Sequence, residues 1–421
     1  MTEKAIYTWE SWTSWQPQLM GILWTETLRG KETCSFEFVP QWLKVHSDLR
    51  FLDPDLAPYC GRQHAPVAKK LFGLFSDTCP DRWGRHLMDR MERIVADREH
   101  RSPRHLTETD YLLGVYDSVR MGSLRFSLQK EGPFLGCGQE LAMPPWSALR
   151  DLEAASLAFE EDKDPFSTRW LSQLLAPGSA LGGARPKVTV QAADGSLWIA
   201  KFPSQHDERN SGAWEQAVHE LAKACGLNVP GSHLLRFSDA GSTYLVKRFD
   251  RDGKGRDGGQ RIHFASAMCL LGQTDGCADS SYLDLADFIT RAGASPREDL
   301  SELWQRIVFS MAVTNTDDHL RNHGFRLTPK GWRLSPLYDV NPDPRGNKLS
   351  LNVAPDDPRI HIDLALEVAP FFGLTPEEAE GMARKILNTV RNEWRRTATG
   401  CGLSRAEQEE MAPAFRICGC A

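Results

Sequence analysis

The sequence predicts an α+β protein with two parts, an N-terminal α/β subdomain and a core in which a β-rich lobe precedes a mostly helical lobe. Two features predict this core. An Asp-Gly pair at 194–195 separates the apolar segments 188–190 and 197–202, which is a strong short-range signal for a β-hairpin. Further along, apolar residues recur at helical spacing over 303–311.

The composition is that of a globular protein. The 421 residues suffice for about two or three domains, and 41% are hydrophobic and 25% charged. No segment approaches the roughly 18 uncharged apolar residues of a transmembrane helix, and the N-terminus lacks the apolar stretch of a signal peptide. We therefore expect a cytoplasmic protein that does not bind a membrane. A net charge of −6 argues against nucleic-acid binding by the chain alone.

The cysteines indicate neither disulfides nor a structural zinc site. The chain has 10 cysteines, and none of them form a Cys-x-x-Cys pair. Metal sites built from cysteine need such closely spaced pairs, and disulfides are typical of secreted chains. We therefore expect reduced thiols that fill the core.

The first part of the chain is predicted to be a separate subdomain, residues 1–130. Polar and aromatic residues alternate over 34–39, as in a half-buried strand, and a helix is expected to end near Arg98. A closing strand is expected over 121–126. A linker and connecting helix follow over 131–165.

The rest of the chain is expected to form a core that divides into an N-lobe, 166–250, and a helical C-lobe, 251–421. The N-lobe begins with a glycine-rich loop over 177–187 and continues with the hairpin, a helix around 215–225 and a strand over 244–249. In the C-lobe, the sequence Thr-Pro-Glu-Glu from Thr375 is a capping box with proline at the first helical position.

The strongest chemical signal lies in the C-lobe. Asp317 and Asn322 are separated by five positions, and a predicted hairpin over 325–334 returns the chain so that Asp339 can approach both. Phosphoryl transfer needs a carboxylate to orient the acceptor hydroxyl and oxygen ligands for Mg²⁺. The spacing of five between the catalytic Asp and the Asn is that of protein kinases.

The order of features before this motif strengthens the kinase interpretation. Lys201 ends a strand of the hairpin, where it can pair with nucleotide phosphates, and Glu215 on the next helix can hold it. The turn at Gly182 and Gly183 lets backbone N–H groups approach phosphate, and Lys187 lies just behind it.

Other motifs fit less well. A Walker A loop is excluded because Ala184 follows Gly183 where Lys would be required, and a zinc site at His319 and His323 lacks the glutamate of a zincin at position 320. Taken singly, each candidate also has an ordinary structural alternative. A strand-end lysine, a solvated helix glutamate, a plain glycine turn and a helix-capping aspartate are all common.

At this point the chain resembles the HipA-type serine/threonine kinases, the toxins of bacterial type II toxin–antitoxin modules. The resemblance spans nearly the whole chain and rests on short motifs, which lie at 72–75, 80–85, 120–124, 180–187, 198–203, 226–230, 248–250, 315–322 and 338–339. It implies a bilobal protein-kinase-like core related to phosphatidylinositol 3/4-kinases, with an added N-terminal subdomain.

The resemblance also assigns roles to residues. It implies that Asp317 is the catalytic aspartate and that Asn322 and Asp339 hold Mg²⁺. Glu215 has a supporting role. The residues implied to contact ATP are Gly182, Gly183, Ala184, Arg185, Lys187, Lys201, Lys247, Phe249, His319, Asn322, Tyr338 and Asp339.

Partners and regulation follow from the same resemblance. It implies a protein substrate such as an aminoacyl-tRNA synthetase, whose phosphorylation blocks translation, and a HipB-like helix-turn-helix antitoxin through which DNA is bound. The self-inactivating serine of the family corresponds to Ala180 here, and neighbouring Ser179 is the alternative phosphorylation site. A small-molecule or lipid kinase, and a non-catalytic partner in an antitoxin–DNA complex, remain alternative functions.

Overall fold

The structure is a computed structural model that describes residues 3–28, 31–46, 51–136, 143–161, 185–253, 259–276 and 279–419. Within these ranges it has the predicted mixed α+β character. The strands are β1 (Lys4–Glu10), β2 (Gln18–Leu28), β3 (Lys31–Phe38), β4 (Gln63–His64), β5 (Arg125–Ser127), β6 (Lys187–Gln191), β7 (Leu197–Lys201), β8 (Ser232–Ser238), β9 (Gly241–Lys247), β10 (Phe264–Ser266), β11 (Gly324–Thr328) and β12 (Gly331–Leu334).

The helices of the described residues are α-helices and 3₁₀ helices. The α-helices are α1 (Pro40–Val45), α2 (Gly73–Ser76), α3 (Arg82–Arg98), α4 (Glu108–Gly114), α5 (Leu149–Glu160), α6 (Ser211–Cys225), α7 (Ala267–Leu270), α8 (Tyr282–Ala292), α9 (Pro296–Ala312), α10 (Ile362–Val368), α11 (Pro376–Gly400) and α12 (Arg405–Met411). The 3₁₀ turns are Trp146–Ala148, Leu320–Asn322, Ala369–Phe372 and Ala412–Cys418. No helix in the described ranges is long and apolar enough to cross a membrane.

The chain forms two compact units, of which the first comprises Met1–Ala200 and Arg248–Thr274. Its antiparallel sheet has the order β4-β3-β2-β1-β5. The predicted hairpin at 194–195 is confirmed, because β6 and β7 are neighbouring strands and Gly195 has the positive φ of +84° that an Asp-Gly turn requires. The four domain segments expected from the sequence remain a prediction.

Buried charges join the N-terminal part of this unit to residues 248–251. The Arg248 guanidinium donates to the backbone carbonyls of Val119 (2.7 Å) and Arg120 (3.1 Å). The carboxylate of Asp250 accepts from Arg248 (2.7 Å) and from the backbone N–H of Gly122 (2.7 Å). Burial opposes ionisation, but the neighbouring guanidinium groups outweigh it and hold the pKa of Asp250 well below its usual range.

The second unit comprises Lys201–Lys247 and Asp275–Ala421. The central helix α9 buries the apolar residues that predicted it, and the indole of Trp304 donates to the carbonyl of Ala365 (2.8 Å). The predicted capping box is confirmed at the start of α11, where Thr375 accepts from the N–H of Glu378. β11 and β12 form the predicted hairpin over 324–334.

Helix α6 packs against β9 at a glycine. A Cβ atom on Gly212 would lie 2.1 Å from the backbone oxygen of Ser242, whereas a Cβ on Gly381 in α11 would have no atom within 4 Å. We predict that Gly212→Ala lowers the free energy of unfolding by roughly 1–3 kcal/mol because the two backbones must separate. Gly381→Ala should raise it by roughly 0.5–1 kcal/mol through the lower entropy of the unfolded chain.

Urea denaturation of both variants, followed by circular dichroism, checks this pair. Both changes add the same methyl group to a helix of the second unit, so intrinsic helix propensity cancels in the comparison. Equal shifts in the same direction would contradict the close packing of α6 on β9.

Candidate functional site

Three predicted residues from distant parts of the chain meet in the second unit. The ammonium group of Lys201, at the end of β7, lies 2.6 Å from Oε1 of Glu215 in α6 and 2.5 Å from Oδ1 of Asp339. The lysine and glutamate side chains are nearly buried, and that of Asp339 is 19% exposed. The sequence predicted the pairing of Lys201 with Glu215, and the direct contact with Asp339 is an addition.

The charge on Lys201 depends on these carboxylates. Burial alone opposes the charged ammonium, but the attraction of Asp339 and Glu215 is larger, and together they raise the pKa of Lys201 above its usual value. Lys201 is therefore a permanent cation at neutral pH. The two carboxylates of Glu215 and Asp339 around the one ammonium group of Lys201 leave a net negative charge, which favours the binding of a cation.

The local backbone at Asp339 is constrained. Its φ of +57° is in the left-handed region, which is uncommon for any residue other than glycine. Such a conformation persists only when the surroundings hold it, and it occurs most often at functional sites. It places the carboxylate of Asp339 on Lys201 while the neighbouring Tyr338 hydroxyl donates to the carbonyl of Arg321 (2.7 Å).

Hydrogen bonds hold the segment after α9 beside the segment that contains Asp339. The N–H of Asp343 donates to the carbonyl of Thr314 (3.1 Å), and the hydroxyl of Thr316 donates to the carboxylate of Asp343 (2.8 Å). Thr314 also has a positive φ, +51°. These bonds bring residues 314–316 beside Asp343, and the convergence of Asp317 and Asn322 on Asp339 stays a prediction.

Within the Asp/Asn segment, Asn322 and Asp317 have different environments. The amide of Asn322 donates to the backbone carbonyl of Asp317 (2.8 Å), and its Oδ1 is buried and has no hydrogen-bond partner among the described residues. The carboxylate of Asp317 is 79% exposed and lies 3.7 Å from Nε2 of His319. The exposed carboxylate of Asp317 is accessible to a large acceptor molecule. The buried Oδ1 atom of Asn322 has no hydrogen-bond donor, and a bound cation would satisfy it.

These residues fit a magnesium ion better than a zinc ion. The described ranges contain no group of three His, Cys, Asp or Glu side chains with metal-site geometry. Nε2 of His323 lies 2.6 Å from Oδ1 of Asp318, where both side chains are buried, so this histidine has a structural partner. Mg²⁺ takes one or two protein oxygens and completes its shell with phosphate and water. The Oδ1 atom of Asn322 and the carboxylate of Asp339 are oxygens of this kind.

Four other predicted residues are described within the unit to which each belongs. Lys247 ends β9, and its N–H donates to the carbonyl of Gly231 (2.8 Å). Phe249 is buried, with its ring 5.8 Å from that of Phe264 in the first unit. Arg185 and Lys187 belong to the first unit, where Lys187 forms a buried ion pair. Four predicted positions lie outside the described residues: Ser179, Gly182, Gly183 and Ala184.

Several residues that support the site were not anticipated from the sequence. The hydroxyl of Tyr244 lies 2.9 Å from Nδ1 of His219, and both line a cavity of about 10 Å³ together with Glu215 and Asp339. That volume is enough for about one water molecule. The sequence carried no signal for the pair of Tyr244 and His219. The contact between Asp318 and His323 did have one, because their spacing of five positions repeats that of the neighbouring Asp317 and Asn322.

Comparisons with known proteins identify the family of the chain. A family model described as "HipA-like C-terminal domain" matches residues 179–394, just over half of the chain. The chain is 27% identical over 191 residues to "Putative kinase" of Haemophilus influenzae, covering 40% of this chain and 54% of that protein. It is 29% identical over 164 residues to "Putative kinase Y4dM" of Sinorhizobium fredii, covering 35% and 37%. It therefore spans about half the length of the first relative and less of the second.

A solved structure resembles the chain over most of its length. It is a chain of the Shewanella oneidensis toxin–antitoxin complex of HipA, HipB and operator DNA. The match covers 95% of both chains with a TM-score of 0.66 and 15% sequence identity. At this level of identity the likeness establishes a shared fold.

The pairing of Lys201 makes a prediction about stability. Lys201→Met leaves the carboxylates of Glu215 and Asp339 without their cation, and we expect the free energy of unfolding to fall by roughly 3–5 kcal/mol. Adding Glu215→Gln to Lys201→Met should restore part of this loss, because it removes one of the two unpaired charges. Urea denaturation of the single and double variants measures the effect.

A matched control is Lys223→Met on the exposed surface of α6, where Lys223 is 67% exposed. Its effect should stay within roughly 0.5 kcal/mol. If the effects of Lys201→Met and Glu215→Gln simply add, the two side chains do not form the buried pair described above.

Proposed function

Because the chain belongs to the family that carries the HipA-like C-terminal domain, we propose that it is an ATP- and Mg²⁺-dependent serine/threonine protein kinase. The observation that carries this proposal is the contact of Lys201 with both Glu215 and Asp339. A strand lysine held by a helix glutamate, beside an aspartate that follows a catalytic loop, is the arrangement that protein kinases use for phosphates and metal.

The proposed core is bilobal and related to phosphatidylinositol 3/4-kinases. We propose residues 166–250 as its N-lobe and 251–421 as its C-lobe, preceded by the subdomain 1–130 and the connecting segment 131–165. Supporting this proposal, the residue types and the chain order of the site match those of a kinase core.

The nucleotide would lie against Lys201, whose ammonium pairs with phosphate oxygens while Glu215 keeps it in place. The glycine turn would present backbone N–H groups to the phosphates, and the strand end at Lys247 and Phe249 would face the adenine. The other proposed nucleotide contacts are Gly182, Gly183, Ala184, Arg185, Lys187, His319, Asn322, Tyr338 and Asp339.

Asp317 is the proposed catalytic residue. Its exposed carboxylate would accept the hydrogen bond of an incoming hydroxyl and so orient that oxygen toward the γ-phosphorus. Asn322 and Asp339 would hold the metal through Oδ1 and a carboxylate oxygen. When bound, Mg²⁺ supplies positive charge to the phosphate oxygens as charge develops on them. Catalysis would thus consist mainly of positioning and charge stabilisation.

The proposed acceptor is a serine or threonine of a host protein, such as an aminoacyl-tRNA synthetase, whose modification would inhibit translation and growth. A HipB-like antitoxin is the proposed partner, and DNA would be bound through it. The similar Shewanella oneidensis structure, a HipA, HipB and operator DNA complex, supports this partner. Ser179 is the proposed site of autophosphorylation in the phosphate loop.

Transfer from γ-labelled ATP to proteins of a bacterial lysate tests the proposed function. We expect labelled protein bands with the wild-type chain and a loss of label of at least about 10³-fold with Asp317→Ala or Asp339→Ala, because each removes a positioned carboxylate. Asp287→Ala is the matched control, since Asp287 is 63% exposed on α8 and distant in sequence from the site. It should retain full activity.

Two results would contradict this assignment. Label confined to small molecules would indicate a small-molecule or lipid kinase, and wild-type labelling by both aspartate variants would remove Asp317 and Asp339 from the chemistry. Absence of both transfer and ATP hydrolysis by the wild-type chain would favour a non-catalytic binding partner. Mass spectrometry of the labelled proteins would identify the acceptor residue.

A further inference from the structure

Lys187, the first residue of β6, forms a buried ion pair with the N-terminal region. Its ammonium group lies 2.8 Å from Oδ2 of Asp81, and both side chains are only 3% exposed. Both residues belong to the first compact unit. The negative charge of a buried carboxylate compensates the positive charge of a buried lysine. Separating such a pair is costly because each charge then lacks a partner.

Asp81 uses its two carboxylate oxygens for two different purposes. Oδ1 accepts from the backbone N–H of Gly84 (2.8 Å) and so caps the N-terminus of α3, while Oδ2 faces Lys187. Helix α3 spans 17 residues. The hydrogen bond to the start of α3 thus fixes the carboxylate of Asp81. This carboxylate cannot follow Lys187 if the lysine side chain moves away.

The position of Lys187 makes this pair significant. Lys187 follows directly on the glycine-containing loop proposed to bind the nucleotide phosphates, and it is one of the residues proposed to contact ATP. In the structure its partner is a protein carboxylate. Any phosphate that takes Lys187 as its counter-ion must therefore compete with Asp81.

We propose that Asp81 is an internal counter-ion that holds Lys187 and that nucleotide phosphate replaces it during binding. This inference rests on the proposed function and adds a regulatory residue to the same site. The exchange lowers nucleotide affinity, because apparent affinity is reduced by the fraction of molecules in which the lysine is engaged elsewhere. Because Asp81 also caps α3, the exchange makes the affinity for phosphate depend on how the N-terminus of α3 holds Asp81.

Isothermal titration with ADP and with adenosine tests the exchange. Asp81→Asn removes the charge but keeps an oxygen that can cap α3. We expect the variant to bind ADP about tenfold more tightly than the wild type, with adenosine binding unchanged, because adenosine has no phosphate to compete for Lys187. Adding Lys187→Met to Asp81→Asn should abolish the gain for ADP.

Asp110→Asn is the matched control, since Asp110 belongs to the capping box of α4 in the same unit. It should alter neither ligand's affinity. Asp81→Ser also retains a capping oxygen without charge and carries the same expectation as Asp81→Asn. Failure of both Asp81 variants to fold would assign Asp81 to fold stability and overturn the proposal.

The remaining outcomes separate this inference from the proposed function. Unchanged or weaker ADP binding by a folded Asp81→Asn variant, or an equal gain for adenosine, would overturn the counter-ion role alone. A wild-type chain that binds neither ADP nor ATP would overturn the proposed function, and this inference with it.

Discussion

The site depends on the burial of one ammonium group between two carboxylates. Lys201 is separated from Glu215 by 14 positions and from Asp339 by 138, so the three side chains meet only when β7, α6 and the segment after β12 are all in place. An isolated buried charge is costly, and each of these groups is tolerated because the others are present. The need to pair these buried charges therefore links the assembly of the site to the folding of the second unit.

The backbone around Asp339 follows from this requirement. A left-handed aspartate costs of order 1 kcal/mol or more, and here the hydrogen bonds between the segments near Thr314 and Asp343 surround it. The same bonds tie residues 314–316, just before Asp317, to Asp343. The position of the Asp339 carboxylate on Lys201 therefore depends in part on these hydrogen bonds between loops.

Local features of the fold could be predicted from the sequence, and contacts between charged side chains could be predicted only in part. The Asp-Gly turn at 194–195 and the capping box of Thr375 depend on neighbouring residues, so their patterns suffice. The Lys201–Glu215 pair follows from the order of strand and helix. The chain has 56 acidic residues, and nothing in the pattern selects Asp81 for Lys187. That choice depends on packing between segments that are distant in sequence.

Both lysines proposed to meet the nucleotide phosphates already have carboxylate partners. Lys201 has Glu215 and Asp339, and Lys187 has Asp81. The proposed nucleotide binding would be an exchange of ion partners, so its free energy would be the difference between two sets of strong contacts and not the sum of new ones. Lys201 can keep Glu215 while it contacts phosphate, because Asp339 is its second carboxylate partner, whereas the ammonium group of Lys187 faces the carboxylate of Asp81. The two lysines should therefore differ in what they contribute: Lys201 a fixed charge, and Lys187 a charge whose availability is set by the N-terminal part of the chain.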